Sequence, residues 1–226
     1  MRFPWPFKVE IIGTNIMLFN ESFKFVLYIL SKFGQKFPSD DFHIAIVAYT
    51  LNNVAGTPNR LYKDFNKASR DLTVDNFEDF KFKSLWYLLG FSIPQLANNP
   101  LPEDSLLYRG LHGFQYPATE LRRAIRDETP IVLGTAFVST SDKKSKAEEF
   151  AQNMNCVNCP HNKCFLTFKG RPNYGNCIKQ HSVYPDEGEV LVCPWSQWIV
   201  TEATTKGTWQ YVTLEPNRYN YLNLII

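Results

Sequence analysis

The chain has 226 residues, 44% hydrophobic and 20% charged, with a formal net charge of +2. That length and apolar share suffice for a full core in one large domain or two closely packed halves, and they exclude a disordered or fibrous protein. The small net charge supplies no basic field for neutralising phosphates, so nucleic acid is not an expected partner.

In chain order, residues 20 to 96 carry a helical pattern. "ESFKFVLYILSKFG" has apolar residues at helical spacing and ends on Gly34, a C-cap type. Its apolar core, Phe25 to Leu30, falls short of the roughly 18 residues of a membrane span and is too short for a secretory leader, so neither is expected. "SDDFHIAIVAYTLN" opens on Ser39-Asp40, good N-cap types; "LYKDFNKASRDL" follows, and "VDNFEDFKFKSLWYLLG" closes on Gly90. After "NNPLPEDS" the texture changes. "LLYRGL", "AFVSTS", "CFLTFKG", "EVLVCPW", "QWIVTEAT" and "WQYVTLE" are short, rich in β-branched and aromatic residues, and separated by Gly, Pro and Asn. One helix, Ser145 to Gln152, falls between two of them. A helical half followed by a strand half is an α+β arrangement.

All five cysteines, Cys156, Cys159, Cys164, Cys177 and Cys193, lie in the second half. "CVNCPHNKC" holds three of them with His161, a possible soft-ligand set, but nine residues with a proline make a cramped zinc cage. No metal is expected; at most two disulfides and one free thiol are.

Three polar groups fall at the ends of the predicted strands, where a sheet exposes side chains to a cleft: Arg109-Gly110 after "LLY", Ser139-Thr140-Ser141 after "TAFV", and Glu187-Gly188-Glu189 ahead of "VLVC". Glycine beside the arginine permits close backbone approach of a ligand, whereas Ser-Thr-Ser also reads as a helix N-cap. On one extended strand Glu187 and Glu189 point to the same face, continued by Leu191 and Cys193, with Val190 and Val192 opposite. Taken alone, the pair also reads as a charged turn after Tyr184-Pro185-Asp186, with the strand starting at Val190.

Together, "YRG", "FVSTS" and "YPDEGEVL" resemble the arginine, Ser-Thr-Ser and Glu-x-Glu pattern of the arginine-specific mono-ADP-ribosyltransferases of the cholera-toxin-like clan. "AIVAYT", "LYKDFNKASR" and "FKFKSLWYLL" look like the vertebrate ecto-enzymes of that family, so the likeness spans roughly residues 40 to 200. It turns the glutamates from a turn into a site. The resemblance implies one ADP-ribosyltransferase domain over residues 1–226, its helical half at about 15–98 packed on a strand-rich half at about 103–226. A two-sheet β core would hold folded NAD, the substrate rather than a resident cofactor, in a cleft.

By the same resemblance Arg109 pairs with the dinucleotide phosphates, the Gly110 backbone bonds the nicotinamide amide, Ser139 braces the site and Phe150 stacks on the nicotinamide. Glu189 stabilises an oxocarbenium-like ribose and holds its 2′-hydroxyl, while Glu187 orients and deprotonates the acceptor guanidinium. In a wet cleft both glutamates are expected to be ionised near neutrality, and NAD is expected to meet no comparable polar cluster from the helical half. The implied partner is an acceptor protein with an exposed arginine; NAD glycohydrolysis and a non-catalytic binding domain are the alternatives. The resemblance implies a secreted or cell-surface protein, and the lack of a leader a cytoplasmic one. With no cysteine before Cys156, the cystines that tie the halves of vertebrate relatives have no counterpart.

Overall fold

The computed structural model describes residues 39–217 apart from 51–52, 55–56, 59–60, 73–75, 78, 97–100, 153–160, 173–174 and 195. The predicted helix ending at Gly34 lies outside the described residues, as do Cys156 and Cys159. Helix α1 is Ser39–Thr50, α2 Leu61–Arg70 and α3 Lys83–Gln95, with a short ladder of β1 (Asn53–Val54) and β2 (Thr57–Pro58) between the first two. Asp64 in the first turn of α2 and Lys67 and Arg70 in its last complement the helix dipole.

Two helical expectations are corrected. Residues 76, 77 and 79–82 are non-helical and bury Phe77 and Phe80, and α3 starts only at Lys83. Gly90 does not end it, because that glycine lacks the positive φ of a C-cap and the helix continues to Gln95.

The second half contains β3 (Leu106–His112), α4 (Ala118–Asp127), β4 (Ile131–Val132), β5 (Val138–Ser141), α5 (Lys144–Gln152), β6 (Lys163–Lys169), β7 (Gly175–Cys177), β8 (Glu189–Val192), β9 (Gln197–Lys206) and β10 (Trp209–Pro216). The sheet order is β4-β9-β10-β6-β3-β5-β8-β7, and only the β10–β6 pair is parallel among these pairings. Helix α4 and strands β4 and β7 escape the sequence reading: α4 buries only Leu121 and Ala124, and the two strands have two and three residues.

Where β3 meets β5, the ladder narrows to a single pair, Tyr108 with Ser141. The expected two sheets are therefore joined at one point. They diverge from it, and Val190 and Val192 of β8 share a core with Trp198 and Val200 of β9, Leu166 and Phe168 of β6, and Leu121 of α4. The opposite face of β8, with Leu191 and Cys193, packs on the helices through Ala45, Ile46, Phe65, Leu89 and Ile93. Phe137, just before β5, enters that helical cluster, 6.0 Å from Phe65 and 5.8 Å from Trp86 between ring centroids. It fastens the Ser-Thr-Ser strand to the helical half, and losing such a buried ring costs about 3–5 kcal/mol. Thr135 adds a polar tie, donating to the Ser69 carbonyl at 2.6 Å at the end of α2, where carbonyls lack helical partners.

Helix α5 lies against β3 at Gly110. A Cβ there would come within 1.8 Å of the Ala147 carbonyl oxygen and 2.8 Å of Ala151 Cβ, so the glycine is required by helix packing. Gly110→Ala should cost about 1–3 kcal/mol by overpacking and lower Tm by roughly 2–10 °C in a thermal melt. An unchanged Tm would show that α5 does not press on the strand.

Cys164 and Cys193 are buried free thiols and Cys177 a partly buried one, so at least three thiols are free, correcting the expected one. Cys164 lies on β6, Cys177 on β7 and Cys193 just past β8. Burial pushes the thiols of Cys164 and Cys193 up to about 12, leaving them unreactive. Among the described residues, no helix is long and apolar enough to cross a membrane.

Candidate active site

The divergence of β3 from β5 opens a cleft of about 250 Å³. It is lined by Arg109 and Gly110 from β3, Ser139 from β5, Phe150 from α5, and Glu187 and Glu189. All six predicted site residues thus border one space. Arg109 lies in the middle of β3 rather than at its end, but past Tyr108 that edge has no strand partner among the described pairings. The Arg109 guanidinium spans the opening and donates to the Ser139 carbonyl at 2.5 Å, which bridges the diverging strands and leaves other N–H groups of the fork for a ligand. Phe150 is 50% exposed on the cleft wall, a large ring left uncovered.

The two glutamates do not share an extended strand. Glu187 ends a 3-10 turn, Pro185–Glu187, and β8 starts at Glu189 after Gly188, whose φ is +58°. The expected common strand face is corrected: a left-handed glycine turns the chain between them. A Cβ on Gly188 would also lie 1.8 Å from Asp142 Oδ1. Ser141 fixes this turn, its hydroxyl donating to the Glu187 carbonyl at 2.5 Å and accepting from the Lys143 N–H at 2.9 Å. Lys143 Nζ donates to the Asp186 carbonyl at 2.6 Å, and the Val183 N–H donates to Thr50 Oγ1 at 3.2 Å. The Ser-Thr-Ser strand, the residue just ahead of α5 and helix α1 therefore all hold the turn that presents Glu187.

Glu189 is only 7% exposed. Burial, with a smaller push from Glu187, lifts its carboxyl up to about 7, although a hydrogen bond from Ser139 and the Arg109 charge oppose this. The site is drier than the sequence reading supposed, so Glu189 is not fully ionised at neutrality. Glu187, half-buried, is also raised by burial, with Lys146 lowering it and Glu149 raising it.

A family profile described as NAD:arginine ADP-ribosyltransferase matches residues 27–220. The chain belongs to that family. GPI-linked NAD(P)(+)-arginine ADP-ribosyltransferase 1 of Mus musculus is 27% identical over 178 residues, covering 74% of this chain and 46% of that protein. NAD(P)(+)-arginine ADP-ribosyltransferase 2 of Gallus gallus is 30% identical over 165 residues, covering 72% of this chain and 44% of its own length. The chain thus spans about half the length of the curated relatives it matches. Among solved structures, the ADP-ribosyltransferase HopU1 of Pseudomonas syringae superposes with a TM-score of 0.57 at 20% identity, over 77% of this chain and 75% of that one. The eucaryotic mono-ADP-ribosyltransferase ART2.2 in complex with NADH gives 0.51 at 22% identity, over 90% and 83%. These two show the shared fold.

In this NAD:arginine ADP-ribosyltransferase family member the helical half adds one residue to the lining of the cleft. Tyr62 of α2 lines it, with Tyr49 of α1 edge-on at 5.1 Å between centroids. Burial raises the Tyr62 phenol above its ordinary value against the pull of Arg109, which keeps it a neutral donor. His112 also lines the cleft, its Nδ1 donating to the Ala151 carbonyl at 3.1 Å. Neither residue was singled out from sequence. Tyr62 stands one turn before the buried Asn66 in "LYKDFN", and polar residues on the inward face of an amphipathic helix were the available signal. Among the described residues, no group of His, Cys, Asp and Glu is arranged to hold a metal ion.

Proposed function

We propose that the chain transfers ADP-ribose from NAD to the arginine side chain of an acceptor protein and releases nicotinamide. The observation that carries this reading is the meeting, in one cleft, of a desolvated carboxylate, Glu189, with an arginine fork and a second carboxylate, Glu187, on a braced turn. Arg109 would pair with the phosphates, the backbone of Gly110 on the open edge of β3 would bond the nicotinamide amide, and exposed Phe150 would cover the nicotinamide ring. A cleft of about 250 Å³ suits the nicotinamide–ribose end, the rest of the dinucleotide lying outside it.

As the bond from ribose C1′ to the nicotinamide nitrogen breaks, its electron pair leaves with nicotinamide and positive charge develops on the sugar. Ionised Glu189, with little water to screen it, stabilises that charge, and Ser139 and Arg109 fix the carboxylate by their hydrogen bond and charge. The acceptor guanidinium, with a pKa of ~13.8, attacks C1′ and gives up a proton to Glu187 as the new bond forms. The same reading takes residues 1–226 as one transferase domain, with a helical half at about 15–98 and a strand-rich half at about 103–226 around the cleft.

The test is to incubate the purified chain with labelled NAD and agmatine, measuring nicotinamide and ADP-ribosyl-agmatine together. Modified agmatine is the expected product. Nicotinamide without it would favour glycohydrolysis, to which the same Glu189 is suited, and neither product would favour a binding domain. Below the pH at which Glu189 ionises, kcat/KM for NAD should fall about tenfold per pH unit, with a bend at about 7, set by the free protein. A profile flat from pH 5 to 8 would remove Glu189 from the chemistry.

A further inference from the structure

Helix α5 meets β3 at two successive positions on one face of the strand. Gly110 lies against Ala147 and Ala151, where a Cβ would come within 1.8 Å of the Ala147 carbonyl oxygen. Two residues on, and so on the same face, His112 Nδ1 reaches the Ala151 carbonyl at 3.1 Å. A carbonyl only accepts, so Nδ1 carries the proton of this bond. Ala151 stands in the last turn of α5, where carbonyls lack helical partners. The residue before it is Phe150, half exposed on the cleft wall that His112 also lines. We propose that His112 is a positioning residue for nicotinamide: by fixing the last turn of α5 on β3, it holds the Phe150 ring at stacking distance over the amide site on Gly110.

The inference rests on the reading above, in which the Gly110 backbone bonds the nicotinamide amide and Phe150 covers its ring. Nicotinamide is a rigid plane, so both contacts can be made together only at one spacing between strand and helix. The start of α5 is held from the Glu187 turn, where Ser141 Oγ accepts from the Lys143 N–H at 2.9 Å and Lys143 Nζ donates to the Asp186 carbonyl at 2.6 Å. At the other end Gly110 and the two alanines set how near the helix can come, but contact alone does not stop it from lifting or sliding. The His112 bond supplies that restraint, because a hydrogen bond weakens steeply away from its preferred length and angle. It acts one residue from Phe150, so a shift there carries the ring with it. A gap wider by about 0.5–1 Å already forfeits a quarter to a half of each contact in a stack. An imidazole that merely satisfied a helix end would alter stability, yet it would not distinguish ligands that carry nicotinamide from those that lack it.

The test is calorimetric titration of the full chain with ADP-ribose and with carba-NAD, an NAD analogue whose bond to nicotinamide does not hydrolyse. The ratio of the two Kd values reads the nicotinamide contacts, and ADP-ribose binding reports that the fold is intact. His112→Leu should raise the Kd for carba-NAD about 2- to 10-fold, the size of one aromatic stack, and leave that for ADP-ribose in place. His112→Asn should restore binding, since its amide nitrogen stands close to where Nδ1 does and donates to the same carbonyl. Phe150→Ala should weaken carba-NAD by a similar factor, and adding His112→Leu to it should weaken it no further, because His112 acts only through Phe150. Equal weakening of both ligands in His112→Leu overturns the inference in favour of a structural role or a phosphate contact. An effect that persists without Phe150 overturns it too, since His112 would then touch the nicotinamide itself, and a His112→Asn variant no better than His112→Leu removes the hydrogen bond from the account. If the unaltered chain holds carba-NAD no more tightly than ADP-ribose, the cover by Phe150 falls and this inference with it. A clear preference for carba-NAD that His112→Leu leaves intact sinks this inference alone.

Discussion

Glu189→Gln is expected to lower nicotinamide release and arginine modification together, by about 10²- to 10³-fold, because the variant removes the one charge aimed at the breaking bond. Both reactions pass through the same sugar cation, so the ratio of products should hardly move. Stability should move the other way. Folding lifts the Glu189 carboxyl from 4.5 to about 7, so the native state holds this proton more tightly than the unfolded chain. Its contribution is fully present below pH of about 4.5 and is lost as pH rises through about 7. Glutamine undergoes no such loss. Above pH 8 the variant should therefore be more stable than the unaltered chain, by up to about 3 kcal/mol, and the gap should close by pH of about 5. Denaturant melts at the two pH values, run beside the assay, check both halves. A variant that is inactive and also less stable at pH 8 would point to a broken fold rather than a missing charge.

Glu187→Gln should divide the two activities. The glutamine keeps the turn, since Ser141 holds the Glu187 backbone carbonyl and not its side chain. It cannot take the guanidinium proton, and the loss of a general base lowers rate typically by about 10²- to 10⁴-fold. Water needs less activation to capture so reactive a sugar, so much of the slow nicotinamide release should survive, with NAD still bound. The ratio of modified agmatine to free nicotinamide is the quantity to follow. Equal losses in both products would make Glu187 part of the NAD site, and no loss in either would return it to a solvated turn.

The position of Glu187 marks how far the residues alone could be read. Strict alternation put Glu187 and Glu189 on one face, and that geometry required both to be in a strand. Gly188 in the left-handed region instead starts the strand at Glu189, and Glu187 reaches the cleft because Ser141 of β5, Lys143 ahead of α5 and Thr50 of α1 hold the preceding turn. Such restraint depends on partners 46, 43 and 133 residues away, which local pattern does not carry. The ionisation of Glu189 was misjudged for a related reason: desolvation is a property of everything packed around a group, here β5, β8 and the aromatic rings of α1 and α2.

By itself the sequence determined the order of helical and strand halves, α1, α2, α5 and the longer strands, because period and turn residues are local signals that need no partner. Through its resemblance to the family it also pointed to Arg109, Gly110, Ser139, Phe150, Glu187 and Glu189, which line one cleft. Only the tertiary structure decided that β3 and β5 touch at one pair and part to make the cleft, that Gly110 is demanded by α5, that Tyr62 and His112 join the lining, and that Glu189 sits dry enough to titrate at about 7. Each of these depends on segments far apart in the chain coming within contact distance. Close approach and exclusion of water arise between surfaces, and a list of residues in order specifies neither until the surfaces meet.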